Sequence, residues 1–289
     1  MAEARPNVHR RRLGSALRRL RTDAGLGMED AATALGLSGK PPLSKIENGK
    51  QRVSGLALTA FLEVYGISDE TARKKIKDLA ALAAPGKRTN LINEYSEAIQ
   101  THGFEEYLHL EGLASKAEHY LSIVPGLLQT REYATSIVEQ SQLWHTNREA
   151  TRFVDLRMAR QDALTRDDPL NMSCILDEAA LRREVGGPTV MKPQLERLLD
   201  ITGSYDHVDV RVLPFSVGAH AAMDGTFQLM HFPVGPPVAL VESKTTSLYL
   251  EEDGDVDLYR SAFKSLLAKA LDAQATHRLI HELIKDCYA

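Results

Sequence analysis

The sequence predicts two domains of different class: a small, mainly α domain of five helices at the N-terminus, and a larger α+β domain with a mostly antiparallel sheet behind it. Three observations predict this. The chain has 289 residues, about twice the length of an ordinary domain. Its charge is divided: residues 1–90 hold 17 Lys and Arg against 9 Asp and Glu, whereas 91–289 hold 18 against 30, so the net charge of -4 conceals a basic head on an acidic body. The apolar residues recur at helical spacing throughout the first third, and beyond it helical stretches mix with alternating ones. The expected organisation is a flexible tail over 1–8, a helical domain over 9–86 ending at Pro85-Gly86, and an acidic domain over 87–289.

The helices of the first domain follow in order. From His9 to Asp23, Leu13, Ala16, Leu17 and Leu20 fall at i, i+3, i+4 and i+7, one apolar stripe among arginines. Gly25 and Gly27 break the chain, and Glu29–Leu35 forms a short second helix. Gly36-Leu37-Ser38 is a tight turn in which Gly36 suits the left-handed position after a helix. A third helix covers Pro42–Asn48, with Pro41 and Pro42 in its first turn, where no backbone donor is needed, and Gly49 stops it. Ser54 caps a fourth helix; Ser68 or Asp69 caps a fifth that ends near Ala84.

Five short helices, a glycine-centred turn between the second and third, and a basic surface describe a compact DNA-binding fold. Its third helix enters the major groove, where side chains read base edges. The polar candidates there are Lys40, Ser44, Lys45 and Asn48. Lys50, Gln51 and Arg52 follow in the loop and, with Arg18 and Arg19 on the first helix, are candidates for phosphate contact. Leu35-Gly-Leu-Ser followed by Leu43-Ser-Lys-Ile-Glu-Asn-Gly49 resembles the Xre and lambda-repressor type of helix-turn-helix domain over residues 9–66. That resemblance implies core roles for Leu43 and Ile46 and a structural role for Glu47. Two stretches depart from the family's pattern: Gly39-Lys40-Pro41-Pro42 is one residue longer than its turn, and Gly27-Met28 stand where it has Thr-Gln.

In the second domain, helical patterns lie at Leu91–Thr101, Glu132–Gln140, Arg148–Leu164, Glu178–Val185, Met191–Ile201 and Val256–Lys285, the last broken in the middle. Strand candidates are Tyr120–Val124, Met172–Leu176, Val208–Pro214, Thr226–Phe232, Val238–Glu242 and Ser247–Glu251; short turns between the later ones favour antiparallel pairing. Val124-Pro-Gly-Leu-Leu-Gln-Thr130, Arg157-Met-Ala-Arg-Gln161, Leu176-Asp-Glu-Ala-Ala-Leu-Arg-Arg183, Val212-Leu-Pro-Phe215 and Leu248-Tyr-Leu-Glu251 are each ordinary structural devices. Taken in this order, they resemble the C-terminal domain of WhiJ-like actinobacterial regulators. The resemblance implies a developmental or antibiotic-related regulator, an antitoxin-like second domain, and a small BldB-like protein encoded nearby as its partner.

No catalytic, cofactor or metal motif stands out. Cys174 and Cys287 are widely separated and read as free thiols in a reducing compartment. His277 and His281 are spaced i, i+4, but Arg278 follows the first where a zinc-peptidase helix has glutamate. No apolar run is long enough to span a bilayer, and no apolar stretch follows the N-terminal arginines as in a secretory signal. The expectation is a cytoplasmic, nucleoid-associated, non-enzymatic homodimer on double-stranded DNA, its second domain docking the small partner. Two alternatives stand beside it: an antitoxin-like protein-binding module with weak or lost DNA binding, and a small-ligand-responsive repressor.

Overall fold

Arginine-rich α1, Val8–Asp23, lays its apolar stripe on the four helices that follow it: α2 (Met28–Ala34), α3 (Lys40–Glu47), α4 (Gly55–Val64) and α5 (Glu70–Ala83). The structure, a computed structural model, describes residues 8–83, 90–99, 104–144, 146–244 and 246–287; the expected boundary at Pro85-Gly86 and the tail before Val8 lie outside them. Leu13, Leu17, Ala31, Leu43, Ile46, Phe61, Leu62 and Leu79 form the buried core of this first unit. Its turns follow from local chemistry. After α2, Gly36 takes φ +66° and Leu37 N–H donates to the Ala32 carbonyl (2.9 Å); after α3, Gly49 takes φ +68° and Lys50 N–H donates to the Lys45 carbonyl (2.8 Å). The Ser54 hydroxyl accepts from Ala57 N–H at 3.2 Å, and Asp69 accepts from Thr71 and Ala72 N–H. The third helix begins at Lys40, two residues earlier than expected, because both prolines fit within its first turn.

The first unit closes around two close contacts. A Cβ placed on Gly14 of α1 would lie 2.4 Å from the Glu47 carbonyl oxygen at the end of α3, so only glycine permits this crossing. Gly14→Ala is expected to destabilise the unit by about 3 kcal/mol through overpacking; an unchanged urea midpoint would contradict the crossing described. Glu47, fully enclosed, takes two hydrogen bonds from Arg21, at 2.7 and 3.1 Å.

Two later stretches, Phe232–Val238 and Tyr249–Asp253, also belong to this unit, although charge and composition place them with the second domain. Arg12 holds the first of them. Its guanidinium is wholly buried, donates to the carbonyls of Val234 (2.7 Å) and Pro236 (3.1 Å), and lies 3.7 Å from the centre of the Phe232 ring. Burial lowers its pKa to about 10, with Glu251 opposing the shift.

The second unit holds α6 (Asn90–Glu94), α7 (Phe104–Leu113), α8 (Arg131–Gln140), α9 (Asn147–Ala159), α10 (Ala179–Arg182), α11 (Pro188–Ser204), α12 (Asp253–Lys269) and α13 (Ala273–Cys287). The sheet runs β3-β2-β1-β4-β5-β6, with β1 Lys116–Leu121, β2 Asn171–Asp177, β3 Val208–Leu213, β4 Phe227–His231, β5 Val238–Glu242 and β6 Ser247–Leu250. The sheet is mixed and mostly antiparallel. Short turns anticipated that for the later strands, but not the parallel block β1-β2-β3, whose connections run through α8–α9 and α10–α11. Two other expectations differ from the structure. The first strand starts at Lys116 rather than Tyr120 and ends at Leu121, because Val124 already belongs to the Pro-Gly turn. The helix expected over Leu91–Thr101 is α6 plus a 3-10 turn at Ser96–Ala98, with Thr101 outside the described residues. Helix α7 was not expected, because buried Glu111 interrupts its apolar face. The last helical stretch does break, at residues 270–272. Near its start, the His277 ring lies 2.8 Å from the Thr202 hydroxyl.

Candidate nucleic-acid interface

Helix α3 is held by its apolar side and presents its polar side outward. Leu43, Ile46 and Glu47 are buried, whereas Lys40, Lys45 and Asn48 are exposed and Ser44 is half-buried. This is the 3.6-residue period at work: positions 43, 46 and 47 share the face that meets α1, so 44, 45 and 48 cannot share it. The loop after Gly49 carries Lys50, Gln51 and Arg52, all exposed.

Three of the predicted side chains form one hydrogen-bonded array. The Asn48 amide donates to the Ser44 carbonyl (2.8 Å) and lies 3.2 Å from its hydroxyl, while Arg18 Nη2 donates to Asn48 Oδ1 (2.7 Å). The Asn48 side chain is thereby fixed at the end of the helix, with its amide plane oriented from both sides. Lys45 stands beside it with no ion-pair partner among the described residues. Lys40, at the other end of α3, pairs with Glu29 at 2.8 Å, which raises its pKa through the hydrogen bond. Arg19 is exposed and lies 3.8 Å from both Asp23 and Asp253.

Charge composition did not reveal the acidic residues that meet this basic surface. Arg18 Nη1 donates to both carboxylate oxygens of Glu252 (2.9 Å each), and Arg11 pairs with Glu251 at 2.7 Å. Glu251, Glu252 and Asp253 therefore offset part of the positive charge on α1. The signal that would have found them is the acidic run Glu251-Glu252-Asp253 itself, read as a counter-charge to α1 rather than as a strand end.

Residues 12–74, which contain this surface, match the family model of a helix-turn-helix domain. Residues 104–282, more than half of the chain, match the family model described as a domain of unknown function (DUF5753). The chain belongs to the DUF5753 family. It pairs that domain with a helix-turn-helix domain, the arrangement of an Xre-like DNA-binding regulator. No curated protein and no solved structure is detectably similar to it. Among the described residues, no helix is long and apolar enough to cross a membrane, and no cluster of three or more His, Cys, Asp or Glu is placed to hold a metal ion.

Proposed function

We propose that this chain is a sequence-specific transcription regulator, not an enzyme: α3 lies in the major groove, and its second domain docks a small protein partner. The observation that carries the first part is the outward array of Lys45, Asn48 and Ser44 on a helix whose opposite face is core. Lys45 and Asn48 have the donors and acceptors for base edges. Lys50, Gln51, Arg52, Arg18 and Arg19 flank them as phosphate contacts, and Lys40 adds charge at the N-terminal end of α3. A homodimer would read two half-sites about one helical turn apart. Docking of a small, BldB-like partner, as in WhiJ-like regulators, is supported by apolar residues left in the open on the second unit. Leu258 is 70% exposed beside a groove of about 490 Å³ lined by Phe227, Val241 and Tyr259, and Met223 is 67% exposed between the groove-lining Ala222 and Asp224.

A salt titration separates the two kinds of DNA contact. Arg52→Ala and Lys50→Ala are each expected to lower the slope of log affinity against log salt by about one, with sequence preference kept. A changed preference at unchanged slope would move those residues to base reading.

Glu252 competes with phosphate for Arg18 in this account. Glu252→Gln is expected to tighten DNA binding about threefold at low salt, the scale of one exposed ion pair. Weaker binding in the variant would mean that Glu252 supports the DNA-binding surface rather than shields it.

A further inference from the structure

Two motifs singled out in the sequence, Val124–Thr130 and Arg157–Gln161, meet in the second unit, where they close a cavity of about 130 Å³ against β1, β4 and β5. Gln161 donates to the carbonyls of Gly126 (3.1 Å) and Gln129 (2.7 Å), and Gln129 donates to the Val124 carbonyl (2.6 Å), so the Pro-Gly turn is tied to the 3-10 turn Arg160–Leu164 that follows α9. Most of the polar groups around the cavity are satisfied. Arg160 donates to both oxygens of Glu111 (2.9 and 2.8 Å), and the Tyr107 hydroxyl donates to the same carboxylate (2.9 Å).

Three groups lining the cavity are not matched. Arg157 has no carboxylate within ion-pair distance among the described residues; it donates only to Gln129 Oε1 (2.9 Å), and its Nε is buried without a partner. Glu242, exposed to solvent at its place in the cavity lining, accepts from Gln228 (2.9 Å) and has no cation within ion-pair distance among the described residues; desolvation pushes its carboxyl up, with Arg160 and Arg157 opposing the shift. His119, only 2% exposed, has both ring nitrogens unpartnered, and burial holds its pKa down to about 4, so the ring is neutral. Buried polar groups are ordinarily paired, so the bare Arg157 Nε and His119 ring nitrogens mark this cavity, and with the Glu242 carboxylate in its lining it offers the complement of a ligand that carries both charges.

We infer that this cavity binds a small zwitterion of the α-amino-acid type, its carboxylate on Arg157 and its ammonium toward Glu242 and His119. The short apolar side chain lies against Phe104, Leu121 and Leu127. The guanidinium edge that carries the bare Nε supplies the planar donors a carboxylate takes. Glu242 and a neutral imidazole nitrogen are both acceptors, as an ammonium requires. The volume restricts the ligand to the smallest members of the class.

The test is calorimetric titration and thermal melting of the full chain with glycine, alanine and serine, and with propionate and ethylamine as the two half-ligands. At least one amino acid is expected to bind saturably and raise the melting temperature, with both half-ligands weaker by about tenfold or more. Arg157→Gln is expected to remove binding. Glu242→Gln, which keeps the hydrogen-bonding partner of Gln228, is expected to weaken amino-acid binding by about tenfold while leaving propionate unchanged or tighter; a purely structural role for Glu242 would not change that preference. The inference is overturned if none of the three amino acids binds, if propionate binds as well as alanine, or if Arg157→Gln binds normally with an unaltered circular dichroism spectrum.

Discussion

Replacing Lys45 and Asn48 together with alanine is expected to lower the preference for the operator over unrelated DNA by about a hundredfold, since each good base-edge contact is worth about 1–3 kcal/mol. The structure explains why the loss falls on selectivity. The Lys45 side chain is exposed with no ion-pair partner among the described residues, its carbonyl bond to Lys50 N–H being kept in alanine, and Asn48 is exposed and oriented by Ser44 and Arg18. The unfolding midpoint therefore moves little, by about 0.5 kcal/mol for each surface change. Fluorescence anisotropy against operator and scrambled DNA, beside a urea melt, reads both quantities. Equal loss on both DNAs would show that the pair contacts phosphate only.

The second large effect lies in the other unit. Glu111→Ala is expected to cost about 3–5 kcal/mol, a large part of the about 5–15 kcal/mol that separates a native domain from its unfolded state. Arg160 and Glu111 are 7% and 6% exposed and joined by two hydrogen bonds, so losing the carboxylate leaves a buried guanidinium without its hydrogen-bonded counter-charge. The Tyr107 hydroxyl loses its acceptor in the same step. Removing both charges as Glu111→Leu with Arg160→Met should cost less than Glu111→Ala alone, because the penalty comes from the orphaned charge more than from the lost pair. Urea denaturation of the three chains tests this; a double variant less stable than Glu111→Ala would contradict it.

Local chemistry made the first unit legible. The caps at Ser54 and Asp69, the left-handed glycines at 36 and 49 and the apolar period of α1 each act within one or two turns of chain, and the helices lie within a few residues of where those signals place them. Strand β3, with its strict alternation, and β5 were legible for the same reason. What sequence did not show depends on partners far away in the chain. Helix α7 hides its stripe behind Glu111, whose charge is answered by Arg160 from 49 residues further on. Arg12 looks like one more surface arginine until residues 234 and 236 supply its carbonyl partners. The counter-charge on Arg18 comes from Glu252, which no local pattern connects to α1. The outward face of α3 was readable because Leu43 and Ile46 fix its phase; the hydrogen-bonded link from Ser44 through Asn48 to Arg18 needed coordinates.

The central claim is that α3 reads sequence. It is tested most directly by the affinity of the full chain for the DNA upstream of its own gene and for unrelated DNA of equal length, at physiological salt. The account predicts a preference of about a thousandfold or more for a site within the upstream DNA. Equal, weak binding to both that disappears as salt is raised would contradict it, leaving a basic surface that holds DNA without reading it.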